Sequence, residues 1–399
     1  MMSTIVAPSD ASLAYITLDQ NLDVTVRLAQ LQSWITTWQE EDERLRLRVM
    51  NLNPARRHEV LLGTQIASLR RQLAFKVAQV PIYLDPAAAR QAGFTALRRQ
   101  LAQQYAGLAL TERRLWLNNL FFLLTPTLRE LTDKLEMIRH YRSLGQQRCF
   151  LVGGLSGVGK SSLLNWYAVN HLPTVQRERN HVPVVKIDAP VSNRSPKPLF
   201  QRLLLACGAT ALGNSEEHYL HLLALYFQQC GVELLIIDEV EHITQPSLRR
   251  RLLELSNLTG VPIVCASCNP ISWTAGDEEI QGRWNDYFEL TQFTGARLDA
   301  FLSLLELLLP FENDARLGCR EMSSEQGMTA GPAHYIEQWT DGIVREVMVL
   351  LMDACDKALT AQAPGLTMAI LQQAWQDIKR AKVVNFLDYW RARQGGRHG

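Results

Sequence analysis

The run of small residues from Gly153 to Ser162 has the composition and spacing needed to hold a chain of phosphates. Gly154, Gly159, Lys160 and Ser161 fit the pattern G-x-x-x-x-G-K-[ST], and the apolar segment RCFLVGG leads into it. Glycines let successive backbone N–H groups turn inward around phosphate oxygens, at the positive end of the following helix. The lysine would reach the β- and γ-phosphates, and the serine hydroxyl is a suitable Mg²⁺ ligand. The predicted nucleotide-binding residues are Gly154, Ser156, Gly157, Val158, Gly159, Lys160, Ser161 and Ser162.

Two adjacent carboxylates follow the apolar segment LLII, 78 residues beyond Lys160. Asp238 ends this predicted strand and is placed to hold Mg²⁺ through water. Glu239 points the other way along the pleat and is placed to orient and deprotonate a water that attacks the γ-phosphate. A small-molecule kinase would instead need a pocket for a substrate hydroxyl. The pair therefore predicts an ATPase whose cofactors are ATP and Mg²⁺.

Further polar residues are candidates for contact with the γ-phosphate. The strand PIVCASCNP ends in Ser267, Cys268 and Asn269, of which Asn269 is the preferred sensor and Ser267 the next; a simple strand exit is the alternative. Arg283 precedes the next predicted strand and is a candidate arginine finger for the ATP of a neighbouring subunit, with a surface or intramolecular ion pair as the alternative. Arg345 begins a C-terminal helix and could contact nucleotide within its own subunit, or lie on a solvated face.

The elements that must position these residues alternate between strand and helix. The unbroken apolar runs in VPVVKID, ELLIIDE and VPIVCAS predict strands buried on both faces of a parallel sheet. Helical periodicity prevails before and after this region. The predicted fold class is α/β: a P-loop core with a parallel five-stranded sheet, a helical N-terminal extension and a helical C-terminal lid. The predicted boundaries are 1–130 for the extension, 131–295 for the core, 296–385 for the lid and 386–399 for a flexible tail.

Composition and charge are those of an ordinary globular protein, with 47% hydrophobic and 20% charged residues. Residues 1–150 hold 19 Lys and Arg against 13 Asp and Glu, and the remainder holds 22 against 27. A basic N-terminal part suits a polyanionic partner or, alternatively, a solvated helical surface. The C-x-x-C of Cys265 and Cys268 lacks a second pair that could complete a zinc site. Neither a signal peptide nor a membrane span is predicted, so we expect a cytoplasmic protein without membrane contact.

The order of these motifs resembles that of the AAA+ ATPases and, among them, the TnsC/TniB family of DNA-transposition regulators. The resemblance extends over about 130–385 and includes GGLSGVGKSSLL, LLIIDEVEHI, VPIVCAS, GRWNDYFEL and DGIVREVMVLLMDACDKAL. It implies that Lys160 and Ser161 bind nucleotide, that Asp238 and Glu239 serve Mg²⁺ and hydrolysis, and that Arg283 is the arginine finger. The strand end CASCNP departs from the Gly-Thr or Gly-Asn ending of this family, and the N-terminal part is longer than in its minimal members.

The same resemblance implies an ATP-dependent protein that assembles on double-stranded DNA without sequence preference and links target-site selection to a transposase. Its implied partners are DNA, other copies in a ring or helical oligomer of roughly six or seven subunits, the transposase, and a target-selection protein of the TniQ/TnsD type with or without a CRISPR effector. The expected location is the prokaryotic cytoplasm, at the nucleoid when on DNA. A replication-initiator or helicase-loader ATPase, and a signalling ATPase switch that does not act on DNA, are the alternatives.

Basic residues in two predicted loops could contact the DNA backbone. Arg249, Arg250 and Arg251 begin the helix after the Asp-Glu strand, and Arg194 and Lys197 lie after the preceding strand. In a ring, these loops could face a central channel and neutralise phosphates without reading bases. The alternative for the three arginines is pairing with acidic residues on a solvated face. We find no base-reading motif in the sequence, so any sequence preference would come from a partner.

Overall fold

The structure is a computed structural model that describes residues 107–111, 113–114, 125–141, 149–171, 173–175, 180–191, 195–209, 215–309, 311, 313, 315–324 and 327–395. These residues form two compact units, one from 125 to 291 and the other comprising 107–114 and 292–395. Most of the predicted extension, 1–130, therefore lies outside the described residues. Within the described part of the chain, no helix has the length and apolar character needed to cross a bilayer.

A five-stranded parallel sheet forms the centre of the first unit. The strands of this unit are β1 (Cys149–Gly153), β2 (Thr174–Val175), β3 (Asn180–His181), β4 (Val184–Asp188), β5 (Leu234–Asp238), β6 (Ile263–Ala266) and β7 (Asp286–Glu289). The order in the sheet is β4-β5-β6-β1-β7, and β2 pairs with β3 separately and antiparallel. A P-loop strand placed between β6 and β7, with the acidic strand on the far side of β6, is the AAA+ arrangement. The predicted α/β class with a parallel five-stranded sheet is confirmed.

Helices cover both faces of this sheet, which explains why its strands are almost continuously apolar. They are α1 (Pro126–Tyr141), α2 (Lys160–Asn170), α3 (Lys197–Ala206), α4 (Glu216–Gln229), α5 (Pro246–Thr259), α6 (Pro270–Thr274) and α7 (Glu278–Arg283), with a 3₁₀ turn at Val240–His242. Successive strand residues point to opposite faces. Phe150 and Val152 accordingly belong to one hydrophobic cluster, with α1 and α2, whereas Leu151 belongs to the other, with α3, α4 and α5.

The second unit contains four long helices and a hairpin. Its elements are α8 (Ala296–Leu308), β8 (Glu321–Ser324), β9 (Gly327–Ala330), α9 (Pro332–Thr340), α10 (Val344–Thr360) and α11 (Met368–Gly395). The hairpin is a departure from the predicted all-helical lid, because its segments EMSS and GMTA lack the β-branched run that marks a strand. The tail boundary predicted at residue 386 is also corrected, since α11 continues through it to Gly395.

The described parts of the predicted N-terminal extension belong to different units. In the segment 107–114, Arg114 donates from Nε to Asp356 Oδ1 at 2.6 Å and from Nη2 to Thr360 Oγ1 at 2.8 Å, both on α10. The helix α1 instead begins at Pro126 and packs in the first unit. The helix α1 thus spans the boundary predicted at 130 and belongs to the first unit, because helical periodicity shows that a face is buried but not which unit buries it.

Candidate nucleotide-binding site

The loop between β1 and α2 adopts backbone conformations that its glycines make accessible. Gly154, Gly157 and Gly159 have φ values of +134°, +89° and +109°, a region in which residues with a Cβ are strained. A Cβ on Gly154 would also lie 2.1 Å from the carbonyl oxygen of Leu290, which follows β7. A Cβ on Gly159 would meet nothing within 4 Å. Gly154 is thus required by both conformation and space, and Gly159 by conformation alone.

The side chain of Lys160 is folded back over this loop. It is only 8% exposed, and its ammonium group donates to the carbonyl oxygens of Gly154 at 2.6 Å and of Leu155 at 2.9 Å. The positive charge is therefore held against the loop and not extended into solvent. The neighbouring Ser161 hydroxyl lies in the exposed first turn of α2.

The remaining predicted loop residues differ in what they offer a ligand. Ser156 is exposed and Gly157 and Ser162 are half-buried. The side chain of Val158 instead packs in the hydrophobic cluster beneath the sheet. Val158 can therefore contribute only backbone groups to a bound phosphate.

The acidic pair lies at the end of β5, where the chain changes direction. Asp238 is 2% exposed, and its Oδ1 accepts a hydrogen bond from the Glu239 N–H at 2.9 Å. Glu239 has φ 57° and ψ 38°, the left-handed region, and its side chain is 53% exposed. The expectation that the two carboxylates separate along a pleat is thus corrected, because the strand ends at Asp238 and the left-handed backbone of Glu239 separates them. Such strain costs about 1–3 kcal/mol and is characteristic of functional sites.

Hydrogen bonds between strand ends bring the loop and the acidic pair to one edge of the sheet. The Ser267 N–H donates to the Val152 carbonyl at 3.0 Å, and the Leu290 N–H donates to the Gly153 carbonyl at 2.9 Å. Asp188 pairs in register with Asp238. Because all five strands are parallel, their carboxyl ends form a single edge, which is where ligands bind in open α/β sheets.

The polar residues after β6 hydrogen-bond to nearby groups of the chain, and their contact with nucleotide stays a prediction. Ser267 is buried, and its hydroxyl accepts from the Asn269 N–H at 3.0 Å. The carboxamide oxygen of Asn269, the preferred sensor, accepts from the Ser272 N–H at 3.2 Å and caps α6. The thiol of Cys268 is exposed and donates to Glu241 Oε1 at 3.1 Å. The sequence places Cys268 at this strand end, but its hydrogen bond to Glu241, 27 residues earlier, was not predictable from the local pattern.

Arg283 lies just before β7, at the amino-terminal end of the parallel strands. The glycine loop lies at their carboxyl-terminal end. Burial raises the pKa of the Cys149 thiol to about 12, and the nearby positive charge of Arg283 acts to lower it. Cys149 begins β1, and the five residues of β1 span roughly 15 Å before the loop. The exposed Arg283 therefore lies far from the nucleotide site of its own subunit. Arg345 belongs to the second unit, where it is exposed on α10 and its Nε is 4.0 Å from Glu346 Oε1.

Arg249 is a structural residue, and its predicted contact with DNA is wrong. It is 8% exposed and donates from Nε to the carbonyl of Ile243 at 3.2 Å and from Nη2 to that of Thr244 at 3.3 Å. Its guanidinium carbon lies 5.5 Å from the ring centroid of Trp273. Residue 249 falls on the buried face of α5, where an arginine must bond to protein groups.

The other two arginines pair with acidic residues, which was the alternative interpretation. Arg250 Nε lies 2.9 Å from Asp277 Oδ2, and Arg251 Nη1 lies 2.7 Å from Glu254 Oε2, with two more carboxylates on α4 at 3.9 Å. Both guanidinium groups remain partly exposed. Contact of these residues with DNA stays a prediction.

Two further predicted DNA contacts lie after β4. Lys197 is exposed at the start of α3, with its Nζ 6.0 Å from the ring centroid of Tyr219. Arg194 lies outside the described residues. Among those that are described, no cluster of three or more His, Cys, Asp and Glu side chains has metal-binding geometry.

The strand order, the glycine loop with its lysine, and the Asp-Glu pair at the same edge define a P-loop ATPase of the AAA+ type. Residues 113–293 match the family described as bacterial TniB protein. The matched segment includes the loop, the acidic pair and Arg283, so the resemblance to this P-loop ATPase family, which is related to TnsC, is confirmed over residues 113–293. The comparison with curated proteins yields no match.

Several solved structures superpose on part of the chain. ORC2 of Aeropyrum pernix in ADPNP–ADP complexes shows 16% identity and a TM-score of 0.45, covering 62% of this chain and 68% of that one. ORC1 of Aeropyrum pernix in complex with DNA shows 14% identity and a TM-score of 0.44, covering 65% and 66%. Drosophila ORC bound to DNA shows 15% and 0.41, covering 62% and 59%. At these sequence identities and TM-scores, the similarity to these structures carries no argument about function.

Proposed function

We propose that this protein is an ATP-dependent regulator of DNA transposition that assembles on double-stranded DNA and recruits a transposase to a selected site. The observation that carries the proposal is that the segment matched by the TniB family holds Lys160 and the pair Asp238 and Glu239 at one sheet edge. Hydrolysis of ATP then acts as a timer for the assembly and not as a motor.

The residues of the site divide the chemistry between them. The glycine loop and Lys160 bind the phosphates, and the exposed carboxylate of Glu239 orients a water and accepts its proton. The Ser161 hydroxyl and the Asp238 carboxylate are hard oxygen donors, which fits Mg²⁺. When bound, Mg²⁺ supplies positive charge that neutralises the phosphate oxygens. Asp238 also holds the Glu239 N–H, and so orients the base as well as offering a ligand.

Assembly explains the position of Arg283. At the edge of the sheet away from the loop, its guanidinium is exposed and is available to the nucleotide of an adjacent copy. An arginine finger supplied in trans makes hydrolysis depend on neighbours. We propose that copies form a ring or helical oligomer of roughly six or seven subunits, located at the prokaryotic nucleoid, with a target-selection protein of the TniQ/TnsD type as a further partner.

The remaining predicted contacts belong to this proposal. The predicted contact of Arg345 with bound nucleotide is part of this proposal. Lys197, Arg250 and Arg251 are assigned to the phosphates of DNA, with the two arginines exchanging their carboxylate partners for phosphate oxygens. Binding of this kind reads no bases, so sequence choice falls to the target-selection partner.

The test is electron microscopy of the purified chain with linear duplex DNA, with and without ATP or a slowly hydrolysed analogue. We expect rings or filaments only where both nucleotide and duplex are present. Lys160→Ala should form none, because it loses the charge that holds the phosphates. Glu239→Gln should assemble normally and release phosphate about 100-fold more slowly, since it loses only the base.

Nucleotide affinity serves as the control, and we expect Glu239→Gln to keep it. Normal assembly of Lys160→Ala with ATP would refute gating by nucleotide. A protein that hydrolyses ATP yet ignores DNA at low salt would refute the transposition role and favour a signalling switch.

A further inference from the structure

A row of four aromatic side chains crosses from α9 to α11 in the second unit. His334, Tyr335 and Trp339 on α9 and Trp375 on α11 follow one another with ring centroids 5.6 Å, 5.6 Å and 6.1 Å apart. The rings of the two tryptophans are nearly parallel, with 14° between their planes. We call these four residues the aromatic row.

The aromatic row lies at the surface of the second unit. His334 is exposed and the three larger rings are half-buried, whereas Ile336 and Ala374 on the same two helices are fully buried. Each helix therefore packs one face into the core and keeps the rings on the other. Single exposed apolar side chains are ordinary, but rings that are grouped at one place on the surface mark a binding site.

Basic side chains border the aromatic row. Lys379 lies about one helical turn beyond Trp375, with its Nζ 5.1 Å from the centroid of that ring, and Arg380 follows it. Both basic residues are exposed. Over its full length, α11 holds five Lys and Arg against two Asp. The surface that carries the rings is therefore suited to a polyanion.

Carboxylates do not oppose this charge. Within α9 and residues 368–381 of α11, every exposed residue is uncharged or basic. The two half-buried carboxylates of these segments are paired: Glu337 with Arg320, and Asp377 with Lys357 Nζ at 2.9 Å. An anionic ligand would thus meet basic groups without meeting an unpaired carboxylate of these segments.

Rings and basic groups side by side suit a single-stranded nucleic acid. Unpaired bases have planar faces that stack on aromatic side chains, and the phosphates between them attract lysine and arginine. In a duplex, the base faces are already stacked on one another and are out of reach. A single strand therefore uses both features of this surface, whereas a duplex uses only the charge.

We propose that the aromatic row, with Lys379 and Arg380, binds single-stranded nucleic acid. Bases stack on Trp339 and Trp375, and the two basic side chains neutralise the adjoining phosphates. The ammonium group of Lys379 lies over Trp375 in the free protein, and a base takes its place while the flexible stem carries the ammonium to a phosphate. Every base has a face to stack, so the site reads no sequence. This site is separate from the proposed duplex contacts, which belong to the first unit.

Fluorescence anisotropy with a labelled oligothymidine of about 16 nucleotides tests this site. Nucleotide and duplex are left out, so a failure of the proposed function would not affect the result. We expect saturable binding that weakens as salt is raised. Trp375→Leu should bind about tenfold more weakly, because leucine is apolar but cannot stack a base, and Trp375→Phe should keep most of the affinity. In a separate titration, the affinity of both variants for duplex should stay within about twofold of wild type.

Lys379→Gln tests the charge without disturbing the core, since Lys379 is exposed. It should weaken binding severalfold and reduce the slope of log affinity against log salt by about 0.7. Lys134→Gln is the matched control, because Lys134 Nζ also lies over a ring, that of Phe288 at 4.7 Å, but on α1 of the first unit. The control should bind as wild type does. Equal losses in the two variants would show a general effect of charge and overturn the site.

Photo-crosslinking locates the contact directly. An oligonucleotide that carries 5-iododeoxyuridine becomes joined on irradiation to an aromatic ring on which that base is stacked. Mass spectrometry should find the cross-links at Trp339 or Trp375. Cross-links confined to other segments, or wild-type affinity in both Trp375→Leu and Lys379→Gln, would overturn the proposal. A folded protein that does not bind single strands at low salt would also overturn it and would favour a protein partner for this surface.

Discussion

Three consecutive arginines, Arg249, Arg250 and Arg251, show how position on a helix decides what a basic residue does. Neighbours on a helix are rotated by about 100° from one another, so the three side chains leave α5 in different directions. Arg249 falls on the buried face and bonds to backbone carbonyls, while the other two reach carboxylates at the surface. The triplet is therefore not a uniform basic patch.

Replacing Arg249 tests whether this residue stabilises the fold or contacts DNA. We expect Arg249→Ala to lower the free energy of unfolding by about 2 kcal/mol. The carbonyl groups of Ile243 and Thr244 lose their hydrogen-bond donor, and the Trp273 ring loses the guanidinium group that packs against it. Urea unfolding measures this change. The DNA affinity of the folded variant should equal that of the wild type.

Arg251→Ala provides the comparison, since its ion pairs are partly exposed and contribute less than about 1 kcal/mol. If Arg251 contacts DNA, this variant should bind duplex more weakly and with a shallower salt dependence. A loss of DNA affinity in Arg249→Ala without a loss of stability would show that the buried placement is wrong.

The helices around the sheet are joined by an ion-pair network at the end of α2 away from the glycine loop. Glu136 on α1 accepts from His171 Nε2 at 2.9 Å and from Arg139 Nη2 at 2.6 Å, and Arg139 Nη1 reaches Glu233 at 2.8 Å. His171 directly follows α2, and Glu233 directly precedes β5. The network thus anchors α1 to the helix that begins with Lys160 and to the strand that ends in Asp238.

This network makes stability depend on pH in a defined direction. Burial alone would raise the pKa of Glu136, but hydrogen bonds from His171 and Arg139 hold it at about 2, below the ordinary 4.5. A depressed folded-state pKa stabilises the protein above pH 4.5, and this contribution is lost as the pH falls toward 2. Because the side chain is 34% exposed, solvent screening reduces the contribution to roughly 1–2 kcal/mol.

Glu136→Gln should remove this dependence. We expect the variant to be less stable than the wild type at pH 7, with the difference shrinking between pH 4.5 and 2, as measured by thermal unfolding across that range. Lys134→Gln on the same helix, whose exposed ion pair with Glu130 is 3.7 Å long, is the control. A constant difference between Glu136→Gln and wild type at every pH would exclude the ionisation of Glu136 as its cause.

For the assembled protein, the decisive feature is that the nucleotide loop and Arg283 occupy opposite edges of the sheet. In the proposed assembly, one subunit alone holds a binding site without its arginine, and the next copy in a ring or filament supplies it. The division explains how hydrolysis can report on assembly, because only neighbours in register can cooperate.

Mixing two inactive variants tests this division. Arg283→Ala should hydrolyse ATP at least about 100-fold more slowly than wild type but bind nucleotide normally. Glu239→Gln should also be inactive alone. In mixed assemblies, a Glu239→Gln copy supplies its arginine to the intact acidic pair of an Arg283→Ala copy, so phosphate release should partly return. No recovery in assemblies shown to contain both variants, or loss of nucleotide binding in Arg283→Ala, would indicate a role within one subunit.

Residues whose position depends only on the nearby backbone were predictable from the sequence. The glycine loop requires backbone conformations that glycine favours, and Lys160 and Asp238 lie where the loop and the strand end place them. The parallel sheet was predictable because strands covered on both faces must be apolar throughout. The resemblance to the TniB family rests on the order of the same local motifs.

Roles that depend on partners distant in sequence were not predictable in this way. Arg249 and Arg250 look alike in the sequence, and only the packing of α5 buries one of them. The carboxamide oxygen of Asn269 caps α6 through Ser272, and the Cys268 thiol donates to Glu241, 27 residues earlier. Local pattern specifies which backbone conformations and faces are favoured, whereas the hydrogen-bond partner of a side chain is set by segments that meet only when the chain folds.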